Sequence, residues 1–139
     1  MIPERYASQT YALMRIVFGL VFLMYGVQKF GMLGGVDGAG ASAPFLSWPF
    51  GIAGIIEVTV GVLVTIGLFT KPAAFIGAGE MAVAYFMVHF QTAPLPVQNM
   101  GQPAVLFCFA FLFMAARGAG IWSADAAMGG RTAGAAVRV

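Results

Sequence analysis

Charge is what this chain has least of. Charged residues make up 9% of its 139 residues and hydrophobic ones 60%, whereas a water-soluble domain carries roughly a quarter charged residues. That shortage argues against a soluble fold. The net charge of +2 is small and scattered, so no basic stripe exists to follow a nucleic acid. One cysteine, Cys108, lies inside an apolar run. It excludes an intrachain disulfide and any cysteine-based metal spacing, and reads as a small packing residue. One histidine, His89, excludes bis-histidine haem ligation, and Met24, Met81, Met87 and Met114 read as packing residues rather than axial ligands. The chain also lacks a CxxC pair and a flavin-binding loop. No haem, flavin or metal motif is therefore present in the sequence.

What the chain has instead is long apolar runs. Four are visible, at about 11–30, 48–69, 72–90 and 103–119. Each approaches the ~20 residues that cross a hydrocarbon core of ~30 Å. Backbone groups in lipid must bond within their own segment, so the runs are expected to be helices. The length suits one domain, 1–139, and the expected fold is all-α: an integral membrane four-helix bundle. The first run is a poor secretory signal, because Glu4 and Arg5 precede it, Arg15 interrupts it and no small-x-small cleavage site follows at the usual distance. Residues 31–47, rich in glycine, alanine and serine, read as a loop with one short turn. A second loop, 92–103, is punctuated by three prolines. Between the second and third runs "FTKP" reads as a tight turn, with Pro72 starting the next helix.

Lys and Arg placement sets the expected orientation. With both termini in the cytoplasm, Arg5, Lys71, Arg117, Arg131 and Arg138 share the inner side, and the two opposite loops carry no Lys or Arg outside the spans.

Ionisable residues inside the runs are the candidates for function, because a charge at membrane depth costs roughly 3 kcal/mol on insertion scales and faces the bundle interior. Counting ~1.5 Å per residue from the inner end of each run puts Arg15 at roughly 6 Å and Glu80 at roughly 12 Å. The same count puts Glu57 at roughly 18–20 Å, and Lys29 and His89 at roughly 27 Å. Two layers result. Arg15 and Glu80 are expected as a structural ion pair. Lys29, Glu57 and His89, with Gln28 beside them, form an outer polar layer. That outer layer reads either as an ion pair that fixes helix register, or as a site where an ammonium, a carboxylate and an imidazole bind a polar head group and pass protons. Glu57 and His89 are the proton-relay candidates. Aromatic residues near the outer mouth, including Tyr25, Trp48 and Phe50, suit an interfacial belt and equally the faces of a ring-shaped ligand. Gly54 and Gly61 share a face with Glu57, where a neighbouring helix or a flat ring can approach.

These residues resemble the DoxX family of small four-span membrane proteins, over nearly the whole chain. "RIVFGLVFLMYGVQKF" is similar to its pattern of arginine, glycine and glycine-x-x-lysine, here Arg15, Gly19, Gly26 and Lys29. "GIIEVTVGVLVTIGLFTKPAA" resembles its glycine, glutamate, glycine, glycine signature, here Gly54, Glu57, Gly61 and Gly67. "HF" at the end of the third run, Asn99 in the last loop and "GAGIWSAD" at 118–125 also look like family features. The resemblance implies a multi-pass protein of a bacterial or archaeal cytoplasmic (inner) membrane, linked to redox metabolism. It implies a homo-oligomer or a hetero-complex with redox proteins, with the lipid bilayer as the constant partner and no nucleic acid.

Three functions follow as expectations. The first is a membrane subunit of a quinone-linked oxidoreductase, with quinone or quinol held by Lys29, Glu57, His89, Gln28 and Asn99. The second is a non-catalytic anchor or assembly partner of a larger oxidoreductase complex. The third is a small proton-coupled transporter.

Overall fold

Each apolar run forms a helix, and glycine or proline trims its ends. The computed structural model describes residues 3–135, and the side chains of residues 3–129. Its helices are α1 (Ala7–Lys29), α2 (Phe50–Ile66), α3 (Thr70–Ala84), α4 (Gln102–Arg117) and α5 (Ala124–Ala135). A π-helical turn, Tyr85–His89, continues α3. Among the described residues no β-strand occurs, only an isolated bridge between Phe30 and Ser42. The loop after α1 contains the expected short turn, at Met32–Gly34.

The ends differ from the apolar runs for local reasons. The second run is longer than α2 because Trp48 and Pro49 precede the first helical residue and Gly67 closes the last turn. Gly67 adopts a left-handed φ of 70°. The Leu68 N–H then reaches the Leu63 carbonyl at 2.9 Å and the Gly67 N–H the Val64 carbonyl at 3.2 Å, the paired bonds of a Schellman stop. The third helix begins at Thr70, two residues before Pro72, so proline occupies its first turn without starting it. By length and apolarity, the 26-residue helix Glu4–Lys29 is the one able to cross a membrane among the described residues; Phe50–Ile66 and Gln102–Arg117 are shorter apolar helices.

α1 and α2 pack as an antiparallel pair with almost no side-chain spacer. A Cβ on Gly61 would lie 2.5 Å from the Leu23 backbone nitrogen, and one on Gly26 would lie 2.6 Å from that of Val58. The order of these contacts reverses along the two helices, which fixes the antiparallel sense. These α2 glycines are thus filled by helix α1 and not by a ligand ring. α3 and α4 form a second antiparallel pair, with Gly77 against the Phe111 ring and Gly101 against the Tyr85 ring. Phe22 of α1 stacks edge-on to Phe111 of α4 at 4.7 Å and also meets Phe107 at 5.2 Å, so aromatic rings join the two pairs. Phe22, Val64, Ala74, Phe111 and Met114 are all fully buried in this core.

Candidate functional site

Lys29 ends α1 and turns inward. Its Nζ donates to both carboxylate oxygens of Glu57 on α2, at 2.8 and 2.7 Å. The lysine side chain is 17% exposed and the glutamate 4%, so the pair opens to its surroundings from the lysine side. Close packing at Gly26 and Gly54 makes this reach short, since Gly26 lies against Glu57 and Gly54 against Lys29. Two of the three ammonium hydrogens are committed to Glu57 and one remains.

His89 and Asn99 are placed by the end of α3. The π-helical turn, closed by the Phe90 N–H on the Tyr85 carbonyl at 2.8 Å, delivers His89 against the 92–101 loop; single π turns of this kind recur at functional positions. His89 Nδ1 lies 3.0 Å from the Asn99 carbonyl oxygen. That oxygen can only accept, so Nδ1 carries the hydrogen and Nε2 of the neutral ring is a free acceptor. The Asn99 side chain is occupied: its amide donates to the Ala93 carbonyl at 2.8 Å and to the Tyr85 hydroxyl at 3.4 Å, and its oxygen accepts from the Gly101 N–H at 2.8 Å. Asn99 therefore organises the loop that holds His89. The Tyr85 hydroxyl donates in turn to the Pro94 carbonyl at 2.9 Å.

Lys29, Glu57, His89 and Asn99 line one cavity of about 1030 Å³ between the two helix pairs. Glu80 lines it as well, and both of its buried carboxylate oxygens lack a hydrogen-bond partner. The rest of the wall is apolar and aromatic, with Tyr25, Trp48, Phe50 and Phe107 prominent. Gly79 gives open space beside Glu80, where an added Cβ would meet nothing within 4 Å. Size, apolar walls and a few convergent polar groups are the attributes of a small-molecule pocket. Gln28 does not belong to it. One residue along a helix is a rotation of about 100°, and Gln28 lines a separate shallow hollow with Val21, Met24 and Leu33.

Comparison with known proteins places the chain. The DoxX family model matches residues 10–90. The chain belongs to the DoxX family. Those residues include Lys29, Glu57, Glu80 and His89 of the cavity, while Asn99 lies beyond them. A protein of Haemophilus influenzae that bears the name "Uncharacterized protein" is 36% identical over 130 residues, covering 88% of this chain and 92% of that protein. No solved structure matches the chain.

At the opposite end, this DoxX membrane protein uses Arg15 differently from the expected Arg15–Glu80 pair. Arg15 is fully buried and donates to the carbonyls of Val64 and Thr65 at 2.6 and 2.7 Å, and to that of Trp122 at 2.6 Å. The pair does not form because the last turn of α2 offers carbonyls with acceptor capacity left over, Val64 beside its Gly67 bond and Thr65 at the helix end, and a guanidinium fork suits them. The positive charge also sits at the negative end of the α2 dipole. Tyr11 secures the same corner by donating from its hydroxyl to the Gly118 carbonyl, while Arg117 lies over its ring at 4.5 Å. Asp125 completes the corner. Its carboxylate accepts from the Phe69 and Thr70 N–H groups at 2.8 and 3.0 Å, capping α3 from the far end of the sequence. The "GAGIWSAD" motif is thus a latch for the ends of α2 and α3. Sequence reasoning did not assign Asp125, because nothing in the motif names the helix it caps.

The Asp125 carboxyl is affected first by burial, which pushes its pKa up, but the Thr70 and Phe69 amide bonds outweigh that and hold it below the usual carboxylate value. The stabilisation is therefore present above about pH 4, the unfolded value, and is lost as pH falls through the lower folded value. Asp125→Ala should cost about 1 kcal/mol near neutral pH, the scale of a lost helix cap. The difference in thermal midpoint from wild type should shrink in acid; a gap constant with pH would refute the capping role.

Proposed function

We propose that this DoxX protein crosses a bacterial or archaeal cytoplasmic membrane four times, with both termini inside, and binds quinone or quinol in the Lys29–Glu57–His89 cavity as the membrane subunit of a redox system. The observation that carries this reading is the cavity itself: the Lys29–Glu57 pair from α1 and α2 and His89 from the end of α3 line one space with aromatic walls. A quinone head is a flat ring with two oxygens, and needs apolar faces plus a polar group at each edge. Lys29 offers its remaining N–H to one oxygen, with Glu57 holding the ammonium in position. His89 receives or supplies a proton at Nε2. Exposed Phe75 and Ile76 of α3 lie at the cavity rim, which suits an apolar tail that extends into lipid.

The membrane arrangement has its own support. α2, with 17 residues, spans about 26 Å, close to the ~30 Å core, and bilayers adjust to small mismatches at modest cost. Arg5, Lys71 and Arg117 lie at the helix ends joined by the Arg15–Asp125 latch, as an inner surface requires. Of the other residues behind this orientation, Arg138 lies outside the described residues and the Arg131 side chain outside those described. The chain acts here as a binding and proton-handling subunit, in complex with redox proteins or with a second copy.

Equilibrium titration of the purified protein with a decyl-substituted benzoquinone should show saturable binding. Lys29→Ala should weaken it at least tenfold, about 1.4 kcal/mol. Wild-type protein that gives no saturable binding, under conditions where an established quinone protein does, would defeat the proposal.

A further inference from the structure

Glu80 has no part in the scheme above. It reaches the cavity from α3, two turns and more before His89, with neither oxygen partnered. The titratable groups that line the cavity with it are Glu57 from α2, Lys29 and Tyr25 from α1, and His89 on its own helix; α4 contributes Pro103, Ala104 and Phe107, which do not titrate. Lys29 is clasped by Glu57 through two short bonds. Of the two carboxyls that line the cavity, Glu80 is therefore the one without a resident cation.

Both free groups change hydrogen-bond sense with protonation. Ionised Glu80 only accepts; protonated, it donates through its O–H. Neutral His89 presents Nε2 as an acceptor, because the Asn99 carbonyl holds the hydrogen on Nδ1, and the protonated ring donates there. A quinone carbonyl can only accept, and a hydroquinone hydroxyl can donate. Glu80 and His89 stand nine residues apart on a continuous helix, roughly 13 Å along its axis. The two para oxygens of a quinone head, with a hydrogen bond of ~2.8 Å at each, span roughly 11 Å. Both side chains line the same cavity, so a ring lying between them has a polar group toward each end.

We infer that Glu80 and His89 let the cavity distinguish the two redox forms of its ligand: the protonated pair holds the quinone and the deprotonated pair holds the hydroquinone. The inference rests on the quinone reading above. It makes Glu80 a ligand-contacting residue and gives the two forms opposite pH dependences. Because each form binds a different protonation state, binding the quinone takes up protons and binding the hydroquinone releases them.

The test is anaerobic titration of the wild-type protein with the decyl-substituted benzoquinone and, separately, with its hydroquinone, between about pH 6 and about pH 8. The ratio of hydroquinone to quinone affinity should rise with pH, by up to about tenfold per unit for each group whose proton the bound ligand reads. Glu80→Gln, which has the same shape and both donates and accepts at every pH, should flatten the rise to the part due to His89. His89→Gln should leave the part due to Glu80. If Glu80→Gln does not fold, the wild-type ratio and His89→Gln still decide. Saturable binding of both forms at a ratio that is constant or falls with pH overturns the inference and leaves the quinone site standing. Binding of neither form overturns both.

Discussion

Replacing Arg15 with methionine is expected to cost on the order of 3–5 kcal/mol, a large share of the roughly 5–15 kcal/mol that keeps an ordinary domain folded. Arg15 is fully buried, and its loss removes the donors to the Thr65 and Trp122 carbonyls and leaves the Val64 carbonyl with the Gly67 N–H alone. An unsatisfied buried acceptor costs about 1–3 kcal/mol, and lipid offers no water to replace the bond. Lysine should rescue little, because an ammonium cannot reproduce the guanidinium fork that reaches two separate segments. Thermal unfolding in detergent reads the effect directly. A midpoint for Arg15→Met equal to that of wild type would mean that the latch contributes nothing.

The second large effect separates structure from function at the cavity. Lys29→Met leaves Glu57 buried without its cation, and breaking one side of a buried pair costs roughly 3–5 kcal/mol. The double variant Lys29→Met/Glu57→Leu removes both charges and fills the space with apolar atoms, so its stability should return to within about 1 kcal/mol of wild type. Quinone-analogue binding should be lost in both, by at least tenfold. A double variant that is stable and still binds at wild-type affinity would reduce the pair to a packing device. The cycle thereby decides between the two senses of the same salt bridge.

How far the sequence could be read follows from the kind of partner each residue has. Helical runs are visible because hydrophobicity over ~20 residues is a bulk property. The approach of Lys29 to Glu57 is visible because both partners are charged side chains, and depth along two antiparallel helices can be counted. Arg15 defeats the same counting: its partners are backbone carbonyls at the end of α2 and at Trp122, which a one-letter sequence does not mark. Depth alone matched it to Glu80 as the nearest carboxylate. Gln28 is adjacent to Lys29 in sequence, yet a helix turns adjacent residues apart. Asn99 lies at the cavity, but its amide is consumed by Ala93, Tyr85 and Gly101, a loop geometry with no periodic signature. The family motif after α4 was visible as a string, and its use as a cap for α3 required the fold.

Glycine carries a similar lesson. Gly61 and Gly54 lie on the face of Glu57 as periodicity requires, and the fold fills that face with α1. Gly79, beside Glu80, is left open instead, where the cavity has room.

The central claim is that the cavity holds a quinone in the membrane. Its most direct test is the native quinone content of the protein, purified in mild detergent from cells and extracted for mass spectrometry, beside the Lys29→Met/Glu57→Leu variant at matched purity. Quinone should be retained at a fixed ratio to wild-type protein and depleted at least tenfold in the variant. Equal quinone in the two preparations, or none above the level carried by an unrelated membrane protein, would contradict it.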